Sequence, residues 1–212
     1  MNGSGQIAKV IDVAAPGIRA DDLACRRGDR ILFRKMSFRI GPGEALHLTG
    51  ANGAGKTTLI RALAGLTMPF AGVAECGGGV GLLDERTGLD PEQSLGAALD
   101  FWFAIDRAAQ RQAILERLRL SELVDVPVRY LSTGQRKRAA LARLLGQEAL
   151  VWLLDEPLSG LDTASQDLVC TLITEHLADG CSALIASHQA LDVPGLKTLA
   201  IEDFTVPLEP LE

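Results

Sequence analysis

The chain has 212 residues, 47% of them apolar and 23% charged, the balance of a globular protein with a substantial core. A formal net charge of −6 gives no global electrostatic case for nucleic acid, and none is expected as a partner. Four cysteines (Cys25, Cys76, Cys170, Cys181) without C-x-x-C spacing argue against zinc and disulfides and for a reducing setting, and no apolar run approaches the roughly 20 residues of a membrane span.

Residues 1–17 read as a loose extension punctuated by Gly3, Gly5 and Pro16, without the basic start and long apolar centre of a secretory signal. Residues 18–40 are strand-like with a turn near Arg27-Gly28-Asp29, and Met36, Phe38 and Ile40 alternate. Their seven basic residues (Arg19, Arg26, Arg27, Arg30, Arg34, Lys35, Arg39) read as a solvated sheet face rather than a nucleic-acid patch. Gly41-Pro42-Gly43 turns the chain into an apolar strand over residues 45–48.

Gly50-Ala51-Asn52-Gly53-Ala54-Gly55-Lys56-Thr57-Thr58 follows, with a helical run over residues 58–66 behind it. This is G-x-x-x-x-G-K-[ST] in its required strand–loop–helix context. Glycines let successive backbone N–H groups point into one anion-binding concavity at the positive end of the helix. Lys56 adds a cation for the outer phosphates, and the Thr57 hydroxyl is a ligand for Mg²⁺. The chain is expected to bind a nucleotide.

Met68-Pro69-Phe70-Ala71-Gly72 breaks the helix, and residues 73–83 read as two short strands. Residues 91–124 turn helical, with Ala97, Phe101 and Ile105 spaced by four, and read as a helical insertion. After Pro127, Ser132-Thr133-Gly134-Gln135 forms a capping box ahead of a helix through Leu145. The unbroken apolar run over residues 149–154 is a buried parallel strand, ended by Asp155-Glu156-Pro157. A second capping box is expected at Thr163-Ala164-Ser165-Gln166, with a helix to about Ala178. Residues 182–187 and 196–201 read as further strands, His188 sits just past the first of them, and residues 207–212 form a tail. Strands alternating with helices give an α/β domain with a mainly parallel core sheet, a small antiparallel β region and a helical insertion.

Asp155 falls at the carboxyl end of a buried strand, where such sheets place ligand residues, and is the expected second Mg²⁺ ligand. Glu156 is placed to orient and deprotonate an attacking water. Leu131-Ser132-Thr133-Gly134-Gln135 resembles the L-S-G-G-Q signature of ATP-binding-cassette (ABC) ATPases, with threonine at the first glycine. Ser159-Gly160-Leu161-Asp162 resembles that family's D-loop, and His188 resembles its switch histidine. The resemblance covers residues 18–206, with a helical subdomain over about 91–130. It implies a P-loop NTPase fold and an ATP-dependent head-to-tail homodimer. Each Mg·ATP then meets Lys56, Thr57, Asp155, Glu156 and His188 of one copy and Ser132, Gly134 and Gln135 of the other, with Asp162 at the interface.

Two departures stand out. The aromatic residue on which the family stacks adenine is replaced by Arg27 or its neighbour Arg26, whose guanidinium plane can also stack on a base. The Q-loop glutamine is missing from Leu83-Asp84-Glu85-Arg86-Thr87-Gly88-Leu89, where Arg86 takes its place beside Glu85.

Within the family the chain resembles the ATP-binding subunits of cytochrome c maturation, the haem-exporter type. Trp152-Leu153-Leu154-Asp155-Glu156-Pro157, Ser187-His188-Gln189-Ala190-Leu191 and Asp100-Phe101-Trp102 carry that resemblance, together with a short chain that ends soon after the histidine. It implies an ATPase at the cytoplasmic face of the inner membrane, bound to integral membrane permease subunits in c-type cytochrome biogenesis. Phe101-Trp102-Phe103 are candidates for gripping such a partner or for core packing. Open alternatives are another small ABC exporter, a soluble non-transport ABC ATPase, and a cassette that binds ATP only as a scaffold.

Overall fold

The computed structural model describes residues 16–205; the tail read from the sequence, and all but the end of the loose extension, lie outside them. Gly17 already pairs with Gly77, so the extension stops short of it.

The first strands, β1 (Gly17–Arg27) and β2 (Arg30–Ile40), form the expected hairpin around Gly28-Asp29. They build a three-stranded antiparallel sheet with β4 (Ala71–Gly77), in the order β2-β1-β4. The main sheet contains β3 (Ala45–Thr49), β5 (Val80–Leu83), β6 (Val151–Asp155), β7 (Ser182–Ala186) and β8 (Lys197–Ala200). All its pairings are parallel, in the order β5-β6-β7-β3-β8.

The unbroken apolar character of the central strands has a direct cause: both faces of the sheet are covered. In β6, Val151 and Leu153 join one core with β1, β2 and helix α1 (Lys56–Leu63), while Trp152 and Leu154 join the other. That second core includes α2 (Leu95–Asp106), α3 (Arg111–Arg117), α4 (Thr133–Gly146) and α5 (Thr163–Ala178). In β7 the same alternation sends Leu184 and Ala186 one way and Ala183 and Ile185 the other.

One local expectation needs correction. The cap of α5 is Asp162, not Thr163; its carboxylate accepts from the Ser165 N–H at 2.8 Å. A carboxylate caps more strongly than a threonine hydroxyl and suits the positive helix end, so the helix takes it and starts one residue early. Gln166 instead donates to the Leu161 carbonyl at 3.1 Å. In α2, the Ala97, Phe101 and Ile105 stripe is the exposed face, while Leu95, Ala98, Leu99 and Phe103 point into the core. Spacing by four identified the helix, but a nearly all-apolar segment does not reveal which stripe is inward.

His176 of α5 is buried and stacks on Trp152 with ring centroids 3.8 Å apart. Its Nε2 donates to the Ser182 carbonyl at 3.3 Å. Burial depresses its pKa from 6.5 to about 4, against smaller opposing effects of the Ser182 bond and Asp179. The folded chain thus keeps the ring neutral through a range in which the unfolded chain protonates. This contribution is intact above pH 6.5 and is lost as pH falls toward about 4, a span on the order of 3 kcal/mol. Thermal unfolding midpoints are expected to fall over that window, and His176→Phe to flatten the slope; an equal slope in the variant would assign the acid lability to other groups.

Candidate functional site

Strand register brings the site together. Leu48 of β3 and Asp155 of β6 both pair with Ala186 of β7, so the three strands end level at one carboxyl edge. Residues 50–58, Asp155-Glu156 and His188 all leave from that edge. β7 lies between β6 and β3, and the carboxyl edge is where open parallel sheets bind ligands.

The loop between β3 and α1 has its conformation set by glycine at two points. Gly50 has φ +144, and a Cβ there would lie 2.4 Å from Ile201 Cγ2; Gly55 has φ +117, and a Cβ would press on Phe33 at 3.1 Å. Gly55 is also the N-cap of α1 and offers no side chain to its first N–H groups, which remain available to an anion. Lys56 is buried, and its ammonium donates to the carbonyls of Gly50 at 2.6 Å and Ala51 at 3.2 Å, closing the loop on itself. A further tie comes from just past β8, the strand beside β3, where Glu202 accepts from the Ala51 N–H at 2.5 Å.

A cleft of about 210 Å³ opens against this loop. Asn52, Gly53, Gly55, Lys56, Thr57 and Thr58 form one wall. Asp155, Glu156 and Glu85 form the acidic wall, and Arg27 and Leu32 flank the mouth. The fold separates the two arginines: Arg27 lines the cleft, while Arg26 lies over the Phe70 ring, 5.3 Å from its centroid. Successive strand residues point to opposite faces, which sends the two side chains apart.

Burial raises the Asp155 pKa; the neighbouring Glu156, Glu85 and Asp84 add to the rise, and the Thr57 hydroxyl opposes it. This is an oxygen-rich, charge-crowded setting that a hard divalent cation would relieve, and the hydroxyl and carboxylate are the donor types Mg²⁺ takes. The residues fit that ion. Glu156 sits just past β6 with its N–H on the Ala186 carbonyl at 2.8 Å. His188 donates from Nδ1 to Glu156 Oε2 at 2.8 Å, joining the two expected catalytic groups.

Ser132, Gly134, Gln135 and Asp162 do not line this cleft. Ser132 and Gln135 exchange the two bonds of the expected capping box, at 3.2 and 2.8 Å. The signature turn packs on its own D-loop: a Cβ at Gly160 would meet the Thr133 methyl at 2.9 Å. Glycine at 160 thus accommodates the threonine that departs from the family pattern. Glu85 lines the cleft, whereas among the described residues Arg86 has only its backbone N–H engaged, by Asp84 at 2.8 Å. The loop's far end is clamped instead by Trp102, whose Nε1 donates to the Gly88 carbonyl at 2.8 Å, and by Arg143, which stacks on that indole at 3.8 Å and donates to the Thr87 carbonyl at 3.2 Å. Sequence motifs missed Lys137 and Glu202, because each acts through a main-chain bond to a motif rather than belonging to one.

A phosphate loop on β3, an acidic pair at the end of β6, a histidine past β7 and a capped signature helix define a nucleotide-binding cassette of the ABC type. The family model for ABC transporters matches residues 33–159. Two solved structures share the fold. One is an ATP-binding subunit of an ABC transporter, with TM-score 0.74, 22% identity and coverage of 81% of this chain and 79% of that one. The other is a dimeric ATP-binding cassette in a post-hydrolysis state bound to ADP and Pi, with TM-score 0.72, 18% identity and coverage of 81% and 88%. Similarity in sequence runs much higher to the cytochrome c biogenesis ATP-binding export protein CcmA of Novosphingobium aromaticivorans, 54% identical over 188 residues, 89% of this chain and 97% of that protein. The protein of the same name from Zymomonas mobilis is 45% identical over 198 residues, covering 92% and 89%. The chain belongs to the ABC transporter ATP-binding family and, within it, to the CcmA proteins.

Proposed function

We propose that this chain is the ATP-hydrolysing subunit of a haem-exporter-type membrane complex in c-type cytochrome biogenesis. The observation that carries the catalytic part is the Glu156–His188 pair held at the lip of the phosphate-loop cleft. The amides of residues 53–58 and the Lys56 ammonium bind the phosphates, Lys56 exchanging its loop carbonyls for phosphate oxygens. Thr57 and Asp155 hold Mg²⁺, which when bound supplies countercharge to the phosphate oxygens. Glu156 orients the attacking water and takes its proton, and the His188 bond fixes the direction of that carboxylate. Arg27 offers a guanidinium plane to the base.

Pockets that enclose a small ligand run to roughly 300–1,000 Å³, and the cleft is smaller, at about 210 Å³. A second copy, docked head to tail, completes it with Ser132, Gly134 and Gln135, which the single chain turns away from its own site. Asp162 caps α5 beside that interface. Among the described residues no helix is long and apolar enough to cross a membrane, so the proposed complex needs permease chains to span it. The exposed Phe101 and Ile105 on α2 supply an apolar face for them at the cytoplasmic side of the inner membrane; Trp102 is committed to the Gly88 clamp and Phe103 to the core.

The test is affinity capture of tagged Glu156→Gln protein, with Mg·ATP, from gently solubilised membranes, read by mass spectrometry. Co-purification of a multi-span cytochrome c maturation protein is the expected result. A different permease would overturn the biogenesis assignment and keep the transporter class. Soluble partners alone would overturn both.

A further inference from the structure

Glu156 has φ +50, a left-handed conformation that costs a non-glycine residue about 1–3 kcal/mol and persists only where its surroundings impose it. Three elements do so. β7 accepts the Glu156 N–H on the Ala186 carbonyl at 2.8 Å. The turn that follows returns the Ser159 N–H to the Glu156 carbonyl at 3.2 Å. The third is Lys137 of α4, whose ammonium donates to that same carbonyl at 3.0 Å, its only hydrogen bond among the described residues.

Lys137 is half-buried, and it is the cation that faces Asp155, Glu156, Glu85 and Asp84 together. Burial pulls its pKa down while those four carboxylates push it back up. A lysine needed only for packing would leave its ammonium in water, since a long aliphatic stem can lie on apolar surface while the charge snorkels out. Here the charge is turned inward, onto the main chain of the residue read as the general base.

We propose that Lys137 is a positioning residue for hydrolysis: by anchoring the Glu156 carbonyl it holds the Glu156 backbone in the conformation that presents the carboxylate to the attacking water. It touches neither nucleotide nor water and acts through Glu156. The inference rests on the reading of Glu156 as the base. A small misplacement of a catalytic group lowers the rate without changing nucleotide binding, so the effect belongs in kcat.

The experiment measures steady-state ATP hydrolysis by the full chain in its captured membrane complex, for wild type, Lys137→Met, Lys137→Arg, Glu156→Gln and the Lys137→Met/Glu156→Gln double variant. Lys137→Met is expected to lower kcat about 10- to 100-fold with KM changed less than about threefold, and Lys137→Arg, which keeps a cationic donor, to recover most of the loss. In the Glu156→Gln background Lys137→Met is expected to cost nothing further, because the group it positions is gone. Unchanged kcat in Lys137→Met, a rise in KM alone, or a full further loss in the double variant would overturn the proposal. Full turnover in Glu156→Gln would overturn the base assignment, and with it this inference. If Lys137→Met does not fold, Lys137→Gln is read against the same outcomes.

Discussion

Glu156→Gln is expected to slow ATP turnover by roughly 10²- to 10⁴-fold while nucleotide affinity stays near wild type. The substitution is nearly isosteric, and the amide oxygen still accepts from His188 Nδ1, so the 2.8 Å contact survives. The backbone around residue 156 also survives, because its ties to Ala186, Ser159 and Lys137 all run through main-chain atoms of that residue. What disappears is the capacity to take a proton. The loss should therefore fall on turnover, read by phosphate release, with equilibrium binding of labelled ATP as the control. Since hydrolysis is the step that reopens the proposed dimer, the variant is expected to accumulate as an ATP-bound pair in size-exclusion chromatography with light scattering. Undiminished phosphate release would remove Glu156 from the role of base.

Lys56→Met acts one step earlier, on binding. Hydrogen bonds to charged groups contribute about 1.5–3 kcal/mol each, so loss of the ammonium is expected to weaken ATP binding by at least about 10-fold and by as much as about 100-fold. Methionine keeps much of the buried stem's volume, and α1 should still form, since its register depends on Gly55 and on the core residues Leu59, Ile60 and Leu63. Two loop carbonyls, on Gly50 and Ala51, lose their present donor. They lie at the edge of the cleft, where water can replace it, so the thermal midpoint should move little compared with the affinity. Titration with ATP measures the first and a melting curve the second. Wild-type affinity in Lys56→Met would show that the loop amides alone hold the phosphates.

Much of the site was legible without coordinates because it is written in local chemistry. The phosphate loop needs glycine, lysine and threonine at fixed offsets, and those offsets survive any folding of the rest. Asp155 and Glu156 were found through the apolar strand they terminate, whose unbroken character already implied a sheet buried on both faces. The signature's capping box joins residues only three positions apart and appeared as expected. The cap of α5 went wrong for a related reason. Asp162 and Thr163 are adjacent residues that can each cap a helix, and the carboxylate, the stronger cap at a positive helix end, takes the position.

Other features required the third dimension. No pattern in residues 95–106 distinguishes Leu95, Leu99 and Phe103, which are buried, from Phe101 and Ile105, which are not. That division is made by what packs against α2. Arg26 and Arg27 are equivalent as letters, and strand pleating sends one to Phe70 and the other to the cleft. Lys137, 19 residues from Glu156, and Glu202, 151 residues from Ala51, meet main-chain atoms that have no side-chain identity to match.

The amino-acid order thus settles the family and singles out the candidate phosphate loop, acidic pair and histidine, since each rests on short-range stereochemistry or on spacing along one element. The fold settles which of two neighbouring side chains faces the cleft, how Glu156 is held in a left-handed backbone, and which face of α2 is exposed. Those outcomes depend on strand register and helix packing, which sum weak contacts between residues far apart in sequence and so leave no mark at any single position.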